Sequence, residues 1–174
     1  MIKGELIRRG IRLVKRTTRT ILHIPISHRY GNFSILLPPY HNLPTYQMLC
    51  PLYNRSLSHL SKYLQPHDLV IDVGANCGDT LAGMFEANPS LSFFCVEADE
   101  EFFGYLTRNI THIKSRYPEA SITAFQAFAA VNVKGGLLQG SRGTKAKAIV
   151  LGSPQDGKLR RVRLDAIFEI SASP

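Results

Sequence analysis

Two acids and two glycines, Asp72, Gly74, Gly78 and Glu97, carry the clearest chemical potential of this sequence. The apolar run Leu69-Val-Ile-Asp-Val73 predicts a buried strand, the glycines a tight turn, and residues 79–87 a helix. Gly74 permits backbone angles closed to other residues and lets a ligand approach the main chain. Gly78 leaves room where helix and strand pack. The N–H groups at the start of the helix have no partner within it and face a crevice. In open parallel sheets that crevice, at the carboxyl ends of the strands, is where ligands bind. Glu97 ends a second apolar run, 19 residues beyond Gly78. A carboxylate there can accept two hydrogen bonds from the vicinal hydroxyls of a ribose. The pair predicts an adenosine-type ligand.

The turn narrows the choice. A dinucleotide-binding turn reads G-x-G-x-x-G, whereas this one reads Gly74-Ala-Asn-Cys-Gly78. The Gly-Lys-Ser/Thr ending of a phosphate-binding loop is absent. Asp72 before the turn would repel a pyrophosphate and suits a ligand with a sulfonium or ammonium charge, which S-adenosylmethionine has. Cys77 lies near a helix start, where a thiol pKa can fall, but no histidine is partnered with it in sequence, and it reads as structural filler. His23, His28, His41, His59, His67 and His112 are scattered without metal-ligand spacing, so no metal site is expected. Asp99-Glu-Glu101 reads as the acidic first turn of a helix.

The elements that must position these residues follow from the pattern. From residue 68, short apolar runs (69–73, 91–96, 121–125) alternate with helical windows (79–87, 101–113), which predicts βαβ units and a parallel sheet. Residues 126–164, rich in glycine and basic residues, predict a hairpin or loop excursion, with a further strand at Arg161-Val-Arg-Leu164 and a short helix or turn at 165–170. Upstream, leucines and tyrosines between 45 and 64 recur at three and four and predict one leader helix, closed by Pro66. Residues 23–44, with Pro25, Pro38, Pro39 and Pro44, predict a connector that cannot sustain a helix, containing a short strand at Phe33–Leu37. Residues 2–22 predict a basic amphipathic helix, weakened by Gly10 and by Thr17-Thr18.

The chain has 174 residues, enough for one domain. Its 44% hydrophobic and 20% charged residues argue against wholesale disorder, and no run approaches a membrane-spanning length. Three cysteines without zinc spacing argue against a disulfide framework and fit a reducing, cytoplasmic compartment. The net charge is +8, but residues 1–20 hold seven basic residues and one acid, so that arm alone carries +6. It can pack on the domain or a partner subunit, lie on an acidic membrane surface or contact nucleic acid. The last is weakly supported, because aromatics do not interleave the charges.

Val70–Thr80 (VIDVGANCGDT) with Val96–Ile110 (VEADEEFFGYLTRNI) resembles the FkbM family of S-adenosylmethionine-dependent methyltransferases. Tyr46–Tyr53 and Leu57–Leu64 resemble that family's leader helix, and Arg163-Leu-Asp-Ala-Ile-Phe168 its "LD" segment; the likeness covers about residues 40–170. It implies an α/β, Rossmann-like class I methyltransferase fold. By the same resemblance, Asp72, Gly74, Ala75, Asn76 and Gly78 would line the methionine part of the cofactor. Glu97 would hold the ribose, Ala98 and Asp99 would lie near the adenine, and Phe128 would pack on the ring. Ala98 stands where many relatives have proline, and Gln126-Ala-Phe128 where many methyltransferases hold the adenine amino group with Asp or Asn. The resemblance also implies that the core (68–174, in a domain of 45–174) is truncated after its third strand and the excursion, which leaves the edge of Val70–Val73 unpaired. Asp165 is the nearest candidate for a base, and no catalytic residue is assigned. The expected activity is O-methylation of a sugar or glycan hydroxyl. The alternatives are an inactive cofactor-binding domain that acts through a partner, and a nucleic-acid methyltransferase.

Overall fold

The computed structural model describes residues 22–50, 52–53 and 55–129, together with the backbone of 137–139, 147–149 and 161–162. The predicted arm at 1–22 therefore lies outside the described residues except for Leu22, and so does the segment 165–170 with Asp165.

The proline-rich connector is a β-hairpin. Strands β1 (Ile26–Tyr30) and β2 (Phe33–Leu37) pair antiparallel, with Tyr30 opposite Phe33. Gly31-Asn32 forms the two-residue turn, with Gly31 at φ +41°, as hairpin turns that match the strand twist require. The leader is not one helix but two, α1 (Leu43–Leu49) and α2 (Arg55–Ser61). Pro51 stands between them in sequence and cannot continue an α-helix. Asn88 Nδ2 ties down the end of α2 by donating to the carbonyls of Ser61 and Leu64 at 3.0 and 3.2 Å.

The parallel sheet follows. Its strands are β3 (Leu69–Val73), β4 (Ser92–Glu97) and β5 (Ile122–Gln126), ordered β3-β4-β5. Helix α3 (Asp79–Ala87) connects the first pair and α4 (Glu100–Arg116) the second. Strands added in one direction, with connections of one hand, place both helices on the same face. The core shows it: Leu81 and Phe85 of α3 and Leu106, Ile110 and Ile113 of α4 share one buried cluster with Phe93, Cys95 and Ile122 of the sheet. Residues of alternate parity, Ile71, Phe94, Val96 and Phe125, form a smaller cluster on the other face. Among the described residues β3 is an edge strand, and its end residues Leu69 and Val73 are 42% and 47% exposed. Beyond β5, the two-residue strand β6 (Phe128–Ala129) pairs parallel with β9 (Arg161–Val162), and β7 (Leu137–Gln139) pairs antiparallel with β8 (Lys147–Ile149). The chain is thus an α/β, Rossmann-like βαβαβ unit, extended by a hairpin on the helical face and by an antiparallel excursion after the third strand. Among the described residues no helix is long and apolar enough to cross a membrane.

The hairpin is locked to the helices by Asn109, which is 2% exposed. Its Oδ1 accepts from Leu36 N–H at 2.7 Å, and its Nδ2 donates to the carbonyls of Leu36 and Cys77 at 2.9 and 2.8 Å. One side chain therefore joins β2, α4 and the glycine turn. Asn109→Ala would leave three backbone groups without their partner, each costing about 1–3 kcal/mol if it finds no other. The expected loss in urea denaturation is about 3 kcal/mol; a loss under ~1 kcal/mol would show that water replaces the clamp.

Candidate cofactor site

The site is built where β3 and β4 end side by side. Register pairs Val73 with Val96, and the chain then turns back across the end of β4. Gly74 N–H and Ala75 N–H both donate to Val96 O, at 2.8 and 3.0 Å. Three left-handed residues make the turn: Gly74 and Gly78 at φ +82° and Asn76 at φ +52°. A side chain at Gly74 would meet nothing within 4 Å among the described residues, so the main chain there is open to a ligand. A side chain at Gly78 would come within 3.0 Å of Leu106 Cδ1. Gly78 therefore makes room for the helix α4, not for a strand.

Glu97 is 6% exposed, and backbone groups take up most of its carboxylate. Oε2 accepts from Asn76 N–H at 2.7 Å, while Oε1 accepts from Ala98 N–H at 2.9 Å and Asp99 N–H at 2.8 Å. A carboxylate has about four acceptor positions, so one remains for a ligand hydroxyl instead of the expected two. Asp99 caps α4, accepting from Glu101 N–H and Phe102 N–H at 2.9 and 3.0 Å. Glu100 and Glu101 in the first turn and Lys114 and Arg116 in the last suit the helix dipole.

Asp72, on β3, is half-buried, and its Oδ2 is buried without a hydrogen-bond partner among the described residues. Burial, then Asp79, then Glu97 push its carboxyl up to about 6. Asp79 opens α3 and faces the backbone N–H groups of Asp79 and Thr80. The helix start is thus occupied by a carboxyl of the protein itself, which competes with a phosphate for those N–H groups and fits the sequence argument against a pyrophosphate ligand. Burial pushes the Cys77 thiol up, with Asp79 and Glu97 adding to it; Cys77 is fully buried, as filler should be.

Asp72, Gly74, Ala75, Asn76, Gly78, Glu97, Ala98 and Asp99 therefore meet at one end of the sheet. Phe128 follows β5 by two residues at that same end, just after Ala127, whose N–H donates to Glu97 O at 3.0 Å. Sequence reasoning did not find His41, 3% exposed, whose Nε2 lies 3.0 Å from Asn76 Oδ1. Nor did it find Tyr40, whose hydroxyl bonds to Glu101 on α4. A long-range partner of this kind leaves no periodic signal. Asn109 was visible within LTRNI, but nothing in the pattern gave it a role. A cleft of about 980 Å³ opens between β1 and α2, lined among others by Arg29, His59, Lys62 and Glu86. It reaches the carboxyl end of α3, away from the glycine turn, and contains none of the predicted site residues. Among the described residues no group of His, Cys, Asp and Glu could hold a metal ion.

No family model matches the chain, and no curated protein matches it. Among solved structures, it is similar to the precorrin-6Y C5,15-methyltransferase of Geobacter metallireducens GS-15, at 19% identity and a TM-score of 0.34, over 42% of this chain and 37% of that one. It is also similar to the YcgJ protein of Bacillus subtilis, at 17% identity and a TM-score of 0.33, over 43% and 30% of the two chains. A protein-L-isoaspartate O-methyltransferase is similar at 12% identity and a TM-score of 0.34, over 65% and 36%. In each case the similarity spans between 30% and 37% of the other protein's length. Similarity of this extent assigns no activity to the chain, which leaves the site's own chemistry to do so.

Proposed function

We propose that this chain binds S-adenosylmethionine and belongs to an O-methyltransferase of the FkbM type, acting on a sugar or glycan hydroxyl. The observation that carries the cofactor is Asp72 Oδ2, buried and without a hydrogen-bond partner among the described residues, beside the open main chain of Gly74. An unpaired carboxylate oxygen flanked by two other acids favours a cationic ligand. The spare acceptor position of Glu97 suits a hydroxyl, and the occupied start of α3 rejects a phosphate. When bound, the cofactor supplies an electrophilic methyl group. This chain's residues would contribute Asp72 toward its positive charge, the Gly74–Gly78 main chain as a close-fitting floor, and Glu97 toward the ribose. The methyl acceptor class and the FkbM type rest on the sequence resemblance. The +6 charge of residues 1–20 supports a peripheral contact with an acidic membrane surface at the cytoplasmic face.

Calorimetric titration of the full chain with S-adenosylmethionine tests the reading, with Gly74→Ala as its control. At φ +82° a methyl side chain is strained by about 1–2 kcal/mol, yet it meets nothing within 4 Å among the described residues. The variant is expected to stay folded and to bind at least about tenfold more weakly. No binding by the folded parent chain, or equal binding by the variant, would overturn the assignment.

A further inference from the structure

We infer that His41 is a positioning residue for the glycine turn: from outside the parallel sheet, it holds Asn76 in the left-handed conformation that keeps Glu97 engaged. The part of this inference that concerns cofactor affinity rests on the function proposed above; the part that concerns the turn does not.

His41 follows β2 by four residues and is 3% exposed, with its ring edge-on to Phe102 at 6.4 Å. Leu43 N–H points at Nδ1 from 3.2 Å. A backbone N–H can only donate, so Nδ1 is the acceptor and the proton sits on Nε2. Nε2–H then donates to Asn76 Oδ1 at 3.0 Å. The same oxygen accepts Cys77 N–H at 2.8 Å, so both of its acceptor positions are filled. Asn76 sits at φ +52°, a conformation unfavourable for a residue with a side chain unless its surroundings fix it. With Asn76 so fixed, its own N–H reaches Glu97 Oε2 at 2.7 Å. The chain of contacts runs from His41 through the Asn76 side chain to the Asn76 main chain and on to the carboxylate.

The neutral ring with its proton on Nε2 serves Leu43 N–H and Asn76 Oδ1 together. The titratable groups facing His41 are Asp79 on α3 and His28 on β1. Burial holds His41 below the usual histidine range, with Asp79 and Asn76 opposing that shift. Protonation would set an N–H at Nδ1 against the N–H of Leu43. Acid therefore costs the Leu43 contact and leaves Nε2–H on Asn76 Oδ1.

The test compares His41→Gln with His41→Leu in the full, isotope-labelled chain. Glutamine can still donate to Asn76 Oδ1; leucine cannot. Amide hydrogen exchange at Asn76 and Cys77 is read by NMR, and S-adenosylmethionine affinity by calorimetry. In His41→Leu both amides are expected to exchange at least about tenfold faster, and affinity to fall about tenfold. His41→Gln is expected to restore both to within about threefold. Should His41→Leu not fold, Asn76→Ala removes the same acceptor with His41 in place and is expected to expose the Cys77 amide and weaken binding alike. Parent-like amide protection in the leucine variant, or equal loss in leucine and glutamine, would overturn the positioning role. The expected exchange pattern in a chain that binds no S-adenosylmethionine at all would keep that role and reject the cofactor.

Discussion

Glu97→Gln is expected to lower the unfolding free energy by about 3 kcal/mol, before any ligand is considered. Three backbone N–H groups converge on the Glu97 carboxylate, and hydrogen bonds to a charged acceptor contribute about 1.5–3 kcal/mol each. Glutamine keeps one oxygen. Its amide nitrogen must then face either Asn76 N–H or the pair from Ala98 and Asp99, setting donor against donor. With a typical total stability of about 5–15 kcal/mol, the change is large. Urea denaturation of the full chain measures it, and a loss under ~1 kcal/mol would show that these contacts do not hold the strand end together. A consequence follows for the cofactor. Weaker binding in a Glu97 variant would arise from a loosened turn even if no ribose touches this residue. Substitutions at Gly74 and Asp72, which carry no such set of backbone contacts, are the discriminating ones.

The alternating βαβαβ pattern was legible because buried strands and amphipathic helices write their periods into the sequence. The placement of the candidate site residues was legible for the same reason: Asp72, Gly74, Gly78 and Glu97 lie at strand ends and turns whose residue types follow from backbone geometry. The hairpin was half legible. Phe33–Leu37 reads as a strand, whereas Ile26-Ser-His-Arg-Tyr30 looks polar, because only one of its faces is covered and its ends alone are strongly apolar. The Gly31-Asn32 pair was the available signal. The break in the leader is masked in the pattern, because leucine spacing continues across Pro51 although the helices end on either side of it. His41 and Asn109 were illegible in their roles. Each acts on a residue 35 or 73 positions away, and a single chain carries no local mark of such a pairing.

Asp72→Asn is expected to stabilise the free chain at pH 7–8 while weakening S-adenosylmethionine binding more than tenfold. The Asp72 carboxyl is pushed up from its ordinary 3.8 to about 6 by burial, then by Asp79 and Glu97. The folded chain therefore holds this proton more tightly than the unfolded chain. The stability it contributes is fully present below about 3.8 and is lost as pH rises through 6. Two pH units at ~1.4 kcal/mol each set an upper bound near 3 kcal/mol, and partial exposure reduces it to about 2. Asparagine does not titrate, so the advantage of the variant should grow between pH 4 and pH 7 and then level off. Asp79, also pushed up by burial, titrates in both chains and largely drops out of the difference. A bound cation reverses the preference, because it favours the ionised carboxylate. In the parent chain, affinity for S-adenosylmethionine is accordingly expected to fall as pH drops below about 6, approaching tenfold per unit, with proton release detectable by calorimetry in buffers of different ionisation heat. An affinity independent of pH from 5 to 7, or an asparagine variant that binds like the parent, would remove Asp72 from the cofactor site. A more stable variant that no longer binds would show why an unpaired acid is kept beside two others: it destabilises the free chain and becomes favourable only against the ligand's positive charge.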